Sequence, residues 1–241
     1  MKVIILNAGI GKRLGALTKS KPKCLVKITD NDTILDYQLE NFLKCNLKNI
    51  IMLTGPFEDH IKTHVKLNYP SLNVQYVQNP IYDKTNYIYT LYLVRNIINE
   101  NVILIHGDLI FSDVILRDII KFNEKNCVLV NKEIPPPKKD FKALIIDERV
   151  VKIGVGVSGP KSAFLAPLYK LTDQFFRSWL DQISAFINDN KVNCYAEDAL
   201  NEILNQLNLK PFYINDLSCK EIDDFEDLNN VKKILLEKNK K

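Results

Sequence analysis

Apolar positions recur along this chain in two alternating periods, one of strands and one of helices. Residues 2–7 open with Val3-Ile4-Ile5-Leu6, a run too continuous for a strand with one wet face, and predict a strand buried on both sides. Over 33–45, Ile34, Leu35, Leu39, Phe42 and Leu43 fall on one helical face, with Thr33 or Asp32 placed to cap it. Residues 49–54 form a second apolar strand, ended by Gly55-Pro56. A helix over 57–68 and an alternating strand over 73–78 follow, then a helix over 86–98 and a strand over 102–105. Strand, helix, strand, helix in this order implies βαβ units and a mainly parallel sheet.

The pattern changes near Glu133. Pro135-Pro136-Pro137-Lys138-Lys139-Asp140 fits neither helix nor central strand and predicts a loop able to lie over a site. Residues 142–153 predict two short strands with a turn near Asp147-Glu148. Residues 167–188 predict a largely helical stretch, 198–207 a shorter helix, 211–214 a strand, and 225–236 a final amphipathic helix. No repeat or linker interrupts the series. The expectation is one α/β domain over 1–241, Rossmann-like, its sheet flanked by helices, with a small strand-rich insertion near 131–165.

Composition narrows this little. In 241 residues, 46% apolar and 26% charged positions are normal for a globular protein. The net charge of +4 is too small to argue for nucleic acid and suits an anionic substrate. Cys24, Cys45, Cys127, Cys194 and Cys219 contain no C-x-x-C pair, which predicts reduced thiols in a cytoplasmic protein. No apolar stretch approaches the roughly 20 residues of a membrane span. The short apolar start runs straight into a glycine loop, unlike a signal peptide. The basic end, Glu237 to Lys241, predicts a frayed tail.

The candidate chemistry begins in that loop. Leu6-Asn7-Ala8-Gly9-Ile10-Gly11-Lys12-Arg13 follows a strand directly, and Pro22-Lys23 comes soon after. Glycines let backbone N–H groups approach phosphates, and the cations balance their charge. A dinucleotide fingerprint would need glycine at Leu14, and no P-loop spacing is present, so an NAD-dependent enzyme is disfavoured.

Leu6, Ala8, Gly9, Gly11, Arg13, Leu14, Thr18, Pro22, Lys23 and Leu25 resemble the signature of the nucleotidyltransferases that make sugar nucleotides. The chain departs from it at Asn7, often alanine, and at Ala16, usually proline. The resemblance continues at His106-Gly107-Asp108, where the family's aspartate binds a metal ion, and at the acidic segment Glu221 to Leu228, which carries the second metal aspartate onto Asp223. Tyr82 to Leu93 resembles the choline-phosphate cytidylyltransferases of bacterial surface-glycan pathways, with Tyr87 in place of an asparagine.

The resemblance implies a CTP-dependent enzyme that joins CMP to a small phosphorylated acceptor and uses magnesium. It places Leu6, Asn7, Ala8, Gly9, Gly11, Lys23, Asn86, Thr90 and Asp108 at the nucleotide, with Asn7 near base or ribose. Arg13 and Lys23 carry the catalytic charge, and Tyr82, Glu197 and Asp198 face the acceptor. Helix capping is the simpler role for Asn86, Glu197 and Asp198, and core packing for Tyr89, Tyr92 and Trp179. Where the family has a tryptophan beside Glu197, this chain has Ala196, and Lys138, Lys139 and Lys142 suit an acceptor with a carboxylate. Phosphorylated L-glutamine, used to begin capsular phosphoramidate synthesis, is therefore expected ahead of choline phosphate. A sugar-1-phosphate nucleotidyltransferase and a non-catalytic nucleotide-binding module are the alternatives. No nucleic-acid or membrane partner is expected, and a homodimer stays open.

Overall fold

The computed structural model describes residues 1–134, 139–215 and 219–238. β1 (Lys2–Asn7), β2 (Asn49–Thr54), β3 (Asn73–Gln78) and β4 (Val102–His106) are mutually parallel, with β1 between β2 and β4 and β3 outside β2. Val3, Ile4 and Ile5 have no solvent exposure, as a central strand covered on both faces requires. Beyond β4 the sheet becomes mixed. β6 (Cys127–Asn131) and β10 (Lys210–Ile214) are parallel to each other, and β9 (Ser162–Leu171) runs antiparallel between β4 and β6. β7 (Lys142–Ile146) pairs with the first part of β9, and β8 (Arg149–Gly154) with β7. Asp147 and Glu148 make the β7–β8 turn in left-handed backbone, at φ 49° and 54°.

Two helical layers cover the sheet. α1 (Ile34–Lys44), α2 (Glu58–Asn68) and α4 (Asp113–Lys121) pack one face, and α3 (Tyr87–Tyr92), α5 (Asp173–Asn188) and α6 (Ala196–Asn201) the other. Thr33 caps α1 through a reciprocal pair of hydrogen bonds with Asp36. α7 (Phe225–Lys238) closes a third apolar cluster with Leu14, Ile28 and Ile34.

Three expected elements are corrected. Residues 167–171, expected to start a helix, are instead the end of strand β9; α5 begins at Asp173, where Thr172 Oγ1 accepts the Phe175 N–H at 3.3 Å. Pro167 survives in this strand because the pairing with β6 skips there, from Tyr169 opposite Val128 to Ala166 opposite Leu129. α3 is a short helix followed by turns, not a helix to residue 98, and α6 ends at Asn201 instead of 207. The structure also adds α4 and β6. Ser112 caps α4, and Ile115, Leu116 and Ile119 bury its apolar face. No described helix is long and apolar enough to cross a membrane. The proline loop 135–137, Lys138 and the tail 239–241 lie outside the described residues.

One small ladder positions the site. β5 (Leu109–Ile110) pairs antiparallel with β11 (Lys220–Glu221), and the Ile222 N–H donates to the Asp108 carbonyl at 3.0 Å. It brings the segments of Asp108 and Asp223 together from distant parts of the chain.

Candidate active site

β1 and β4 end side by side, Leu6 opposite His106, and both segments turn over the carboxyl edge of the sheet, where open α/β folds bind ligands. Gly107 is required at this edge. A Cβ there would stand 1.7 Å from Asn7 Oδ1 and 2.6 Å from the Leu6 carbonyl. Gly11 turns with φ 69°, and the Thr18 hydroxyl donates to its carbonyl at 2.9 Å, fixing the loop that carries Arg13.

Lys23 follows Pro22 in a single tight turn and is the hub of the site. Its Nζ lies 2.7 Å from Asp108 Oδ2 and 3.1 Å from Asp223 Oδ1, and Arg13 Nη2 reaches the same Asp223 oxygen at 2.9 Å. Burial alone would lower the Lys23 pKa; the two carboxylates reverse this and hold it above the ordinary lysine value. Burial likewise works to raise the Asp108 carboxyl, but Lys23 and then His106 hold it below the usual range. These groups line a cavity of about 270 Å³ with Leu6, Asn7, Gly9 and Gly11.

A second cavity, about 490 Å³, adjoins at Gly9 and is lined by Ala8, Asn79, Tyr82, Thr85, Asn86 and Thr90 among others. Asn86 Oδ1 accepts the Tyr87 N–H at 2.7 Å, so it caps α3 while lining the cavity. Buried Asn79 belongs to none of the sequence motifs. Its Nδ2 donates to Thr90 Oγ1 at 3.0 Å and Thr85 Oγ1 at 3.2 Å, and its position directly after β3 is the one signal that marks it.

Tyr82 thus stands with Asn86 and Thr90 at this cavity, whose lining includes Tyr87 but not Glu197. Glu197, 1% exposed, accepts hydrogen bonds from the Tyr87 hydroxyl and, at 2.9 Å, from the Tyr169 hydroxyl. Asp198 Oδ2 accepts the Tyr195 N–H at 2.8 Å, an α6 cap. Above Glu197 lies a cluster of rings. Tyr87 meets His106 edge-on at 5.0 Å and Tyr195 at 5.9 Å, and Phe141 packs edge-on against Tyr195 at 5.0 Å and His106 at 6.3 Å. Asp140 ends the loop predicted from the sequence and Phe141 follows it, with no further sequence signal in either. Trp179 is fully buried in the core, its indole N–H donating to the Ala196 carbonyl at 2.8 Å. Tyr92 packs on the core and against Tyr89, with the Arg95 guanidinium over its ring.

Two sets of side chains could hold a metal ion. One is Asp108 with Asp223, which already accommodate an ammonium between them. The other is His106, Asp108 and Glu221, whose ligand atoms lie within 4.8 Å of one another. His106 Nδ1 and Glu221 Oε1 are 3.4 Å apart. Burial, with Asp108 adding to it, pushes the Glu221 carboxyl up to about 7. Asp108 Oδ1 is buried and has no hydrogen-bond partner among the described residues, an acceptor open to a cation or donor.

Against known proteins, the family model described as nucleotidyl transferase matches residues 2–136. The chain is 26% identical to CTP:phosphoglutamine cytidylyltransferase of Campylobacter jejuni, over 95% of this chain and 98% of that one. It is 25% identical to choline-phosphate cytidylyltransferase of Streptococcus pneumoniae, over 99% and 100%. Among solved structures, CTP:phosphocholine cytidylyltransferase from Streptococcus pneumoniae superposes with a TM-score of 0.80 at 22% identity, covering 97% of this chain and 98% of that one. The inositol-1-phosphate CTP transferase from T. maritima superposes at 0.78 with 20% identity, covering 98% and 94%. These last two show the shared fold.

Proposed function

The chain belongs to the nucleotidyl transferase family, and we propose that it transfers CMP from CTP to a small phosphorylated acceptor, releasing pyrophosphate. The observation that carries this reading is Lys23 bridging Asp108 and Asp223, with Arg13 beside it at the mouth of the glycine turn. An oxygen of the acceptor phosphate attacks the α-phosphorus of CTP. The bond to the β-phosphate breaks, and its electron pair leaves on pyrophosphate. The acceptor phosphate is already anionic, so no protein nucleophile is needed, and catalysis rests on positioning and charge.

Lys23 neutralises the α-phosphoryl oxygens and Arg13 the departing β,γ-phosphates. The N–H groups of the Gly9–Gly11 turn face the same phosphates. Asn86 and Thr90, in the adjoining cavity, bound the pyrimidine. Magnesium fits here: the unpartnered Asp108 Oδ1 and the cation already lodged between the carboxylates argue that Asp108 and Asp223 would hold it. When bound it supplies further neutralisation of phosphoryl charge.

The acceptor carries a cationic nitrogen. Phosphorylated L-glutamine, which would place the enzyme at the opening of capsular phosphoramidate synthesis, is taken first. Choline phosphate is the second reading, favoured by the Tyr87–Phe141–Tyr195 rings, since aromatic faces attract quaternary ammonium groups. Two of the lysines expected to meet an acceptor carboxylate are engaged elsewhere: Lys139 on Asp224 and Asp227, Lys142 on the Asp140 carbonyl.

The test is incubation with magnesium, each of CTP, UTP and dTTP, and a panel of acceptors, with pyrophosphate release as the readout. The panel holds glutamine phosphate, choline phosphate, glycerol 3-phosphate and glucose 1-phosphate. CTP with an amine-bearing acceptor is expected to dominate. Preference for glucose 1-phosphate with UTP or dTTP would make it a sugar-nucleotide enzyme. No release from any pair would leave a binding module.

A further inference from the structure

The second cavity is walled by a hydrogen-bond relay with a fixed direction. Asn79, directly after β3, is 1% exposed, and its main-chain N–H donates to the Thr54 carbonyl at 2.9 Å. Its Oδ1 accepts the Ile81 N–H at 3.0 Å. A main-chain N–H can meet only an acceptor, so the amide oxygen faces Ile81. The amide nitrogen therefore faces two hydroxyls, Thr90 Oγ1 at 3.0 Å and Thr85 Oγ1 at 3.2 Å. Asn79, Thr85 and Thr90 all line the cavity.

The two hydroxyls are left in different states. Thr85 accepts from the amide and passes its own proton to the Ile81 carbonyl at 3.0 Å, so it has no proton to offer. Thr90 accepts from the same amide, yet its proton has no acceptor among the described residues. At 1% exposure that proton costs stability until something in the cavity accepts it. The amide nitrogen can only donate, so it holds the Thr90 oxygen as its acceptor and leaves Thr90 a donor for the cavity. Pyrimidines answer a donor differently. Ring N3 of cytosine is an acceptor, whereas ring N3 of uracil carries a hydrogen. A hydroxyl proton pairs with the first and is opposed by the second.

Resting on the cytidylyl-transfer reading, we propose that Asn79 is a positioning residue for base selection: its amide fixes Thr90 as a hydrogen-bond donor to ring N3 of cytosine, and so sets CTP above UTP. Asn79 acts through Thr90 and not through contact with the base. Reversing the polarity of this one amide should undo the preference, an effect that loosened packing around the cavity would not produce.

The experiment is calorimetric binding of CTP and UTP, with magnesium, to the wild type, Asn79→Asp, Thr90→Val and Thr90→Ser, with thermal unfolding alongside. The wild type is expected to bind CTP at least about tenfold more tightly than UTP. Asn79→Asp puts an acceptor where the amide donated, draws the Thr90 proton to itself and leaves the Thr90 oxygen to present a lone pair. The CTP-to-UTP ratio should then fall by at least about tenfold. The added negative charge weakens both nucleotides alike and cancels in the ratio. Thr90→Val should lose the preference, and Thr90→Ser should keep it within about twofold. These two carry the test if Asn79→Asp does not fold. A CTP preference that survives in Thr90→Val or in a folded Asn79→Asp overturns the proposal, as does its loss in Thr90→Ser. A wild type that binds both nucleotides without preferring CTP overturns the choice of CTP and the proposal with it. A wild type that binds neither overturns the nucleotide reading instead.

Discussion

In the proposed reading, the phosphate side of this site and its acceptor side are built on opposite plans. On the phosphate side opposite charges are matched at contact distance: Lys23 between Asp108 and Asp223, and Arg13 on the outer oxygen. On the acceptor side a carboxylate is buried among rings with no cation beside it, Glu197 under two tyrosine hydroxyls. A matched set can be laid down before substrate arrives and still hold phosphates, because an ammonium or guanidinium can exchange a carboxylate for a phosphoryl oxygen. An unmatched carboxylate calls for charge from outside, and its identity as a site depends on what answers. In that reading the first half specifies a reaction that many acceptors share, and the second selects among them.

Asp108→Asn is the sharpest way to break the comparison. It removes charge from the matched set while leaving the packing nearly unchanged, so turnover should fall by about 10²–10³ or more. Unfolding free energy should shift by less than about 1 kcal/mol, since one oxygen of this buried carboxylate is already unsatisfied. Pyrophosphate release and thermal unfolding check the two halves of that statement. Full activity would remove Asp108 from the chemistry.

Glu197→Gln comes next and probes the other side. Its carboxylate accepts two hydroxyl donors, so the variant should lose about 1–3 kcal/mol in denaturant unfolding. The acceptor KM should rise about tenfold, with the CTP KM unmoved. An equal rise in both would erase the division into halves.

Lys139→Met has the smallest effect. The Lys139 pair is partly exposed, so its loss should cost only about 0.5 kcal/mol. The pH dependence gives its sign. Lys139 holds the Asp224 carboxyl down at about 2, so the pair contributes above the unfolded carboxylate value of about 4 and is lost as pH falls through about 2. Wild-type and variant stability curves should differ at neutral pH and converge near the acid end.

The same contrast explains what the sequence makes legible. The glycine turn, Arg13 and Lys23 lie within one short stretch, so their spacing alone signals phosphate. The parallel strands β1 to β4 are equally plain, because burial on both faces leaves unbroken apolar runs. The ring cluster is drawn from α3, the end of β4, the segment after the proline loop and the start of α6, and no local pattern records that Tyr87, His106, Phe141 and Tyr195 converge. Pro167 misleads for a different reason. As a helix-start residue it is common, and only the skipped pairing with β6 makes it acceptable inside a strand. Helix α4 carries a cap and a periodic apolar face in its sequence, and is open to the same reasoning that finds α1.

Trp179 is the only tryptophan in the chain, and its indole N–H is tied to the carbonyl of Ala196, one residue before Glu197. The fold has thus placed a lone indole in a dry setting, bonded to the first turn of the helix that carries Glu197. Emission from this indole is accordingly expected to report, without a label, any shift of the helix start that carries Glu197.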